Sequence, residues 1–589
     1  MCGIFGGLRY DGENWTDYEK VFDLLKHRGP DDQGVFAENA VLLGNTRLAI
    51  QDVEHGNQPF VSDCGSIILV QNGEIYNHIE LRQELVGLGK VCRTNCDTEV
   101  LVHLYEAFGL DFVKKLNGMF AIALFDKRVQ KMHLIRDRLG VKPLFYMSTG
   151  NSFGFASEIK GLLKLLNAPR ILNLEALSDF FSFNYVPPPL TLFNGIFHVP
   201  PGSILTVSDY GLEIEKWWDL SCVSVSHHEL TQQWCHHLVE LLADATRIRM
   251  RADTQWGAFL SGGLDSSTVL ALMRRASDSK FLTFSIGFND IRYDESEFAR
   301  QAASMFGVDL ISERVEEDLL DRWPSAVYYS DQPHGDVSFL PTWRVSELAA
   351  SHCKVVLSGD GGDELFGGYT KYLEFFNRNS GQNFTPDEFV TKYLPQISLF
   401  SPDQKQLLFE SDIDQSVKKH DSSQLVRDIV KDCKHNDPIN WALLIDTKLL
   451  LPGNNLVKPD RMGMAASLEV RSPFLDYRVA EFAFASSGSF KISNNETKYA
   501  LKRAVAPLIG EGLAYRKKQM FTVPVGEWFR EHRREYCRSE LKFLGKTGLV
   551  SNNYINGLFN DHVSGTKNYT RELRALVALA HWWKTFDLS

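Results

Sequence analysis

The rhythm of apolar and polar positions changes near residue 230. Before it, short apolar or alternating runs of β type recur at residues 4–5, 40–43, 66–71, 120–125, 131–135, 145–147 and 153–156, separated by turn residues. Helical patterns over roughly 77–88 and 97–108 interrupt them. This predicts a mixed α+β domain built of stacked sheets. Pro187-Pro188-Pro189 and Pro200-Pro201-Gly202 mark a connecting stretch that Trp217-Trp218 closes, and the boundary is placed near 212, giving domains 1–212 and 213–589. After residue 230, apolar strands at 256–260, 281–288 and 355–357 alternate with helices at 266–276, 294–306 and 338–351. Such alternation predicts a parallel sheet covered on both faces, an α/β domain. Beyond 370 the pattern is largely helical, with no internal repeat.

A chain of 589 residues exceeds what one core organises, which supports the two-domain reading. Its 44% hydrophobic and 23% charged residues are those of an ordinary globular protein. A net charge of -11 without a basic block argues against nucleic acid as a partner. No long apolar run predicts a membrane span and no leader pattern is found, so a cytoplasmic location is expected. The nine scattered cysteines do not form a secreted disulfide framework. Neither Cys92, Cys96 and His103 nor Cys235-His236-His237 has the ligand spacing of a zinc site.

Three stretches carry chemistry. In Met1-Cys2-Gly3-Ile4-Phe5-Gly6-Gly7, removal of Met1 would place a thiol and a free α-amine on Cys2. The amine titrates near pH ~8 and the thiol near ~8.5, so the amine can take the thiol proton during attack on a carbonyl carbon. Ser261-Gly262-Gly263-Leu264-Asp265-Ser266-Ser267 lies between a strand and a helix, where backbone N–H groups and hydroxyls can cradle phosphate. Asp265 would repel that phosphate unless a cation intervened, which implies Mg²⁺. Ser358-Gly359-Asp360-Gly361-Gly362-Asp363-Glu364 has the same design at a second strand end, and Asp265 and Asp363 can then reach one Mg²⁺.

Together these residues resemble the glutamine-hydrolysing asparagine synthetase family over essentially the whole chain. The first half resembles the class II glutamine amidotransferase domain, an N-terminal-nucleophile fold of four αββα layers. Its motif elements stand in order as Cys2-Gly3-Ile4, His27-Arg28-Gly29-Pro30-Asp31, Arg47-Leu48-Ala49-Ile50, Asn72-Gly73-Glu74-Ile75-Tyr76-Asn77 and Asp97-Thr98-Glu99. The second half resembles the synthetase domain of PP-loop ATP pyrophosphatases. By resemblance Arg47 would hold the glutamine carboxylate, Glu74 and Asp97 its ammonium, and Asn72 with the Gly73 N–H the oxyanion. The resemblance further implies that ATP is cut between its α and β phosphates, that the acceptor carboxylate becomes an acyl-adenylate, and that ammonia reaches it through an internal tunnel. Leu260, Ser261, Gly262, Gly263, Asp265, Ser266, Ser267, Ile286, Ser358 and Gly359 would then contact ATP, and Asp265 with Asp363 would bind Mg²⁺. Lys498, in Glu496-Thr497-Lys498-Tyr499-Ala500-Leu501, would sit near the adenylate, and Asp360 would act with it on the incoming amine. Lys458, Asp460, Arg461, Glu469 and Arg471 also fit the family, as support for the pocket. A homodimer is the expected assembly by resemblance.

Two departures bear on the acceptor. Better-known relatives carry an arginine before the acidic loop, whereas this stretch reads Asp331-Gln332-Pro333-His334-Gly335-Asp336-Val337-Ser338. A glycine usual near Arg516-Lys517-Lys518 is replaced in Gln519-Met520-Phe521. Aspartate is the simplest acceptor; the alternative is another carboxylate, in a cell-wall, surface polysaccharide or natural-product precursor. A non-catalytic regulatory homologue is a third reading, but it should have lost several of Cys2, Asn72, Asp265, Asp363 and Lys498, and all are present.

Overall fold

The computed structural model describes residues 2–209, 211–290, 292–417, 420–517 and 523–588; Met1, Lys518 and Gln519-Met520-Phe521 lie outside them. The first half builds two antiparallel six-stranded sheets. One runs in the order Phe197–His198, Phe145–Ser148, Ser152–Ala156, Cys2–Arg9, Val41–Arg47, Asp32–Glu38. The other runs Gly211–Lys216, Ser203–Ser208, Lys131–Arg136, Gly118–Asp126, Ile67–Ile75, Phe60–Val61. The two-residue period of a strand sorts side chains between faces: Ile4, Leu43, Ile68, Val70 and Leu134 share one buried cluster with both sheets, while Phe5 and Leu42 turn to the opposite face. There they meet Phe22, Leu25, Leu162 and Leu177 from the helices Glu19–Leu25, Ile159–Leu165 and Leu174–Phe183. On the far side of the second sheet, Leu69 and Ile122 pack with Leu81, Leu85, Leu101 and Leu104 of the helices His78–Gly87 and Asp97–Phe108. This is the expected αββα sandwich.

The second half holds a parallel five-stranded sheet in the order Asp309–Val315, Leu282–Phe288, Trp256–Phe259, Val355–Leu357, Glu469–Arg471. Both faces are covered: Val355 and Leu357 belong to one apolar cluster and Val356 to another. The latter cluster also contains Phe5 and Leu177 of the first half, so the halves share a continuous hydrophobic core and not a thin polar contact. Among the described residues from 370 onward, the regular elements are helices apart from Glu469–Arg471 and isolated bridges, the last being Thr570–Phe586. Among the described residues, no helix is long and apolar enough to cross a membrane.

Candidate active sites

Cys2 opens a strand whose register pairs it with Arg47. It is buried, and its neighbours Gly3 and Ile4 are pinned by N–H donation to Thr46 Oγ1 (3.1 Å) and Ser157 Oγ (3.0 Å). The Cys2 nitrogen donates to Asn72 Oδ1 at 3.2 Å, which aims it toward the strand that carries Asn72 and Gly73. Asn72 Nδ2 is buried and has no hydrogen-bond partner among the described residues. Gly73 runs so close to the neighbouring strand that a Cβ there would stand 2.1 Å from the Met119 carbonyl oxygen. A donor left over on the side chain that already bonds the Cys2 nitrogen is the arrangement an oxyanion needs.

Arg47 turns into the 51–57 loop, donating to the carbonyls of Gln51, Asp52 and Val53 and to Asn57 Oδ1 at 2.7–3.1 Å. It thereby braces the loop that follows its strand. Asp97, at the start of its helix, accepts from the Ile75 N–H (2.8 Å) and Gln71 Nε2 (3.1 Å). Glu74 lies near Asp97, and its Oε2 meets Arg471 at 3.0 Å. Burial and the Asp97 charge push the Glu74 carboxyl well above its ordinary range, and Arg471 offsets this only in part. Glu74 Oε1 has no hydrogen-bond partner among the described residues, which leaves one acceptor for a cationic group.

About the second sheet, strand Trp256–Phe259 delivers the 261–267 loop to helix Leu264–Ala276, which has no side-chain cap. Its hydroxyls brace the turn: Ser261 Oγ and Ser266 Oγ lie 3.1 Å apart, and the Gly263 N–H donates to Ser261 Oγ. Gly262 needs its φ of +69°, and a Cβ there would meet the Phe298 carbonyl carbon at 2.3 Å. Strand Val355–Leu357 brings the acidic loop alongside, close enough that a Cβ on Gly359 would stand 2.7 Å from the Asp265 Cβ. Leu260 and Ile286 are buried at the same sheet edge. Lys498 closes the set: its Nζ bonds Asp265 Oδ2 and lies 2.6 Å from Asp363 Oδ1. Despite burial, the two carboxylates hold the Lys498 ammonium above its ordinary range, and its backbone takes the left-handed φ of +52°. The paired carboxylates thus converge on one cation. Two hard oxygen donors beside a phosphate-type loop fit Mg²⁺ completed by phosphate oxygens. Asp360 accepts from Ser358 Oγ at 2.6 Å, and burial raises its carboxyl against the opposing effects of Ser358 and Lys458.

The residues first read only as pocket support form a buried ionic seam between the halves. Arg28 donates through Nε to the Cys2 carbonyl (3.1 Å) and through both terminal nitrogens to Asp460 (2.9 and 3.1 Å). Lys142 also reaches Asp460, and Arg461 pairs with Glu158 and Asp331. Lys160 bridges Glu158 and Asp331, and Arg471 links Glu74 with Glu469. Glu158 and Lys160 were missed by sequence reasoning, and Asp331 stood only as part of the 331–338 stretch, because a lone acid or lysine gives no sign that it is buried and paired. In the 331–338 stretch, Asp336 accepts from Lys458 at 2.9 Å, so a basic group reaches this segment from a distant helix.

The family model of the asparagine synthases matches residues 237–584, and that of the glutamine amidotransferase domain matches residues 1–218. The chain is 31% identical to an asparagine synthetase [glutamine-hydrolyzing] 1 of Bacillus subtilis, over 99% of this chain and 96% of that protein. It is 40% identical to a putative asparagine synthetase [glutamine-hydrolyzing] 2 of Methanocaldococcus jannaschii, over 63% of this chain and 76% of that one. A more distant relative, 26% identical over 90% of both chains, is the amidase chry2 of Gibberella zeae. The order of the motifs, the sandwich joined to a parallel sheet, and full-length similarity agree: this chain belongs to the glutamine-hydrolysing asparagine synthetase family.

Proposed function

We propose that this protein transfers the amide nitrogen of glutamine to a carboxylate activated by ATP, most simply converting aspartate to asparagine with release of AMP and pyrophosphate. The observation that carries the proposal is the convergence of Asp265, Asp363 and Lys498 at two strand ends, in a chain that also buries Cys2 beside Asn72.

In the first half, Cys2 Sγ attacks the glutamine amide carbon, and its α-amine, freed by loss of Met1, takes the thiol proton and passes it to the leaving ammonia. Asn72 Nδ2 and the Gly73 N–H receive the oxyanion, Glu74 and Asp97 hold the substrate ammonium, and Arg47 its carboxylate. Water then releases glutamate from the thioester. In the second half, the 261–267 loop and Ser358 hold the phosphates, with Leu260, Ile286 and Gly359 against the nucleotide. Mg²⁺ held by Asp265 and Asp363 would supply neutralisation of phosphate charge. Lys498 offsets charge on the adenylate, and Asp360, whose raised carboxyl makes it a stronger base, accepts a proton from the attacking amine. Adenylation is required because a carboxylate oxygen is a poor leaving group and AMP a good one. The protein acts on small molecules, and we place it in the cytoplasm.

A second reading keeps both half-reactions and changes the acceptor. It is favoured by the absence of arginine from 331–338, and the relative named as an amidase shows that the family's names extend beyond asparagine synthesis. The deciding experiment supplies ATP, Mg²⁺, glutamine and aspartate, follows pyrophosphate, and identifies the amide by mass spectrometry. Asparagine formed in step with pyrophosphate is the expected outcome. Glutamate release without aspartate-dependent pyrophosphate would reject aspartate and direct the search to other carboxylates.

A further inference from the structure

Among the described residues, two basic side chains bond to the 261–267 loop. Lys498 takes Asp265, and Arg516 takes the glycines. The Arg516 guanidinium donates through Nε to the Gly262 carbonyl (2.9 Å) and through Nη2 to Glu295 (2.6 Å), and it lies over the Phe298 ring at 4.3 Å. Nη2 also stands beside the open face of Gly263, where a Cβ would be 3.7 Å from it. These contacts fix the guanidinium in one orientation against the loop.

Its third nitrogen, Nη1, is buried and has no hydrogen-bond partner among the described residues. Buried polar atoms are nearly always satisfied, and a charged donor left over is the most costly kind. A side chain that served only to brace the turn would need no more than the two bonds Arg516 already makes. Ser267 Oγ is the other side-chain donor of this loop that is buried without a partner. One charged and one neutral donor therefore ask for acceptor oxygens at the same glycine-rich turn, as a phosphate supplies them.

The adenylation step says which phosphate. When the acceptor carboxylate oxygen attacks the α-phosphorus, the P–O bond between the α and β phosphates breaks and its electron pair leaves on pyrophosphate. Negative charge thus grows on the leaving group. A guanidinium already held in place meets that charge without reorganising, and its planar fork suits phosphate oxygens. Lys498, paired with Asp265 and Asp363, is set at the other part of the loop. We propose that Arg516 binds the departing pyrophosphate through Nη1 at the Gly262-Gly263 turn, while Lys498 serves the adenylate. This rests on the ATP-dependent transfer proposed above and adds to it a residue that lies outside the loop motif.

The test measures by calorimetry how the full-length protein binds inorganic pyrophosphate and, separately, AMP, each with Mg²⁺. Arg516→Met should weaken pyrophosphate by about tenfold or more, the usual effect of losing a charged hydrogen bond, and leave AMP within about twofold of the parent. Arg516→Lys keeps the charge without the fork and should fall between. Glu295→Gln removes the carboxylate partner of Arg516 but not its Nη1, and should bind pyrophosphate at least as tightly as the parent. Arg516→Lys against Glu295→Gln decides the matter even where Arg516→Met is unstable. Unchanged pyrophosphate binding in the Arg516 variants would overturn the proposal. So would equal losses of pyrophosphate and AMP, or a loss in Glu295→Gln as large as in Arg516→Lys, since either would report a brace for the loop and nothing more. If the parent protein binds neither ATP nor pyrophosphate, the nucleotide reading itself fails and not the role of Arg516 alone.

Discussion

Asn72 has two amide ends with different partners. Its oxygen accepts from the Cys2 nitrogen, and its Nδ2 is buried with no partner among the described residues. An orphaned buried donor costs about 1–3 kcal/mol, a penalty that an oxyanion would relieve. Replacing Asn72 by Ala should therefore lower glutamine hydrolysis by about 10²–10³, the usual effect of losing one such donor. Glutamate release from glutamine alone would measure it, and a loss under tenfold would remove Asn72 from the oxyanion site. Cys2→Ala should abolish glutamine use altogether while synthesis from high ammonium salt continues; loss of both would show that the two sites are not separable. In the second site, Asp265→Asn removes one of two carboxylates facing Lys498. Pyrophosphate release should disappear with either nitrogen source, and normal release would refute its role toward Mg²⁺.

At the scale of elements, the second site depends on how closely two loops approach. A Cβ on Gly368 would stand 1.9 Å from Asp363 Oδ1 and 2.4 Å from Lys498 Cε. Gly368→Ala should push this pair off its position, and misplacement by 1 Å can cost about 10²-fold in rate. Pyrophosphate release should fall while glutamine hydrolysis holds; equal loss of both would indicate general misfolding. The loops that meet here were legible because strand, glycine-rich turn and helix follow one another in sequence. The strands Asp32–Glu38 and Gly211–Lys216 were not, because both are sheet edges with many exposed side chains and no apolar run. Glu469–Arg471 was hidden for the opposite reason. It is fully buried yet carries two charges, which are compensated by each other and by Glu74, a residue far away in sequence. Local pattern registers apolar burial; it does not register charge buried beside a distant partner.

At the scale of the whole molecule, the ionic seam joins the reaction centres and makes the protein's stability sensitive to acid. Removing one partner of a buried pair typically costs about 3–5 kcal/mol, so Asp460→Ala, which strands Lys142 and leaves Arg28 with Glu158 as its carboxylate, should lower the melting temperature markedly, and Asp460→Asn by less. The pH dependence has two phases. Burial depresses His133 to about 4 and His334 and His581 to about 3, whereas an unfolded histidine titrates near ~6.5. Below ~6.5 the unfolded chain binds protons that the folded one refuses, so stability declines as pH falls. Glu158 and Asp460 act lower down. Burial alone would raise them, but Lys160, His27 and Arg461 hold Glu158 well below its ordinary range, and Arg28 with Lys142 hold Asp460 below its own. Their stabilisation is complete above the unfolded values near ~4 and is lost as pH falls through the folded ones. Melting temperature should therefore slope gently from pH ~6.5 and steeply below ~4. Asp460→Asn should keep the first slope and weaken the second; a variant with the parent's full acid slope would show that the seam does not govern acid unfolding.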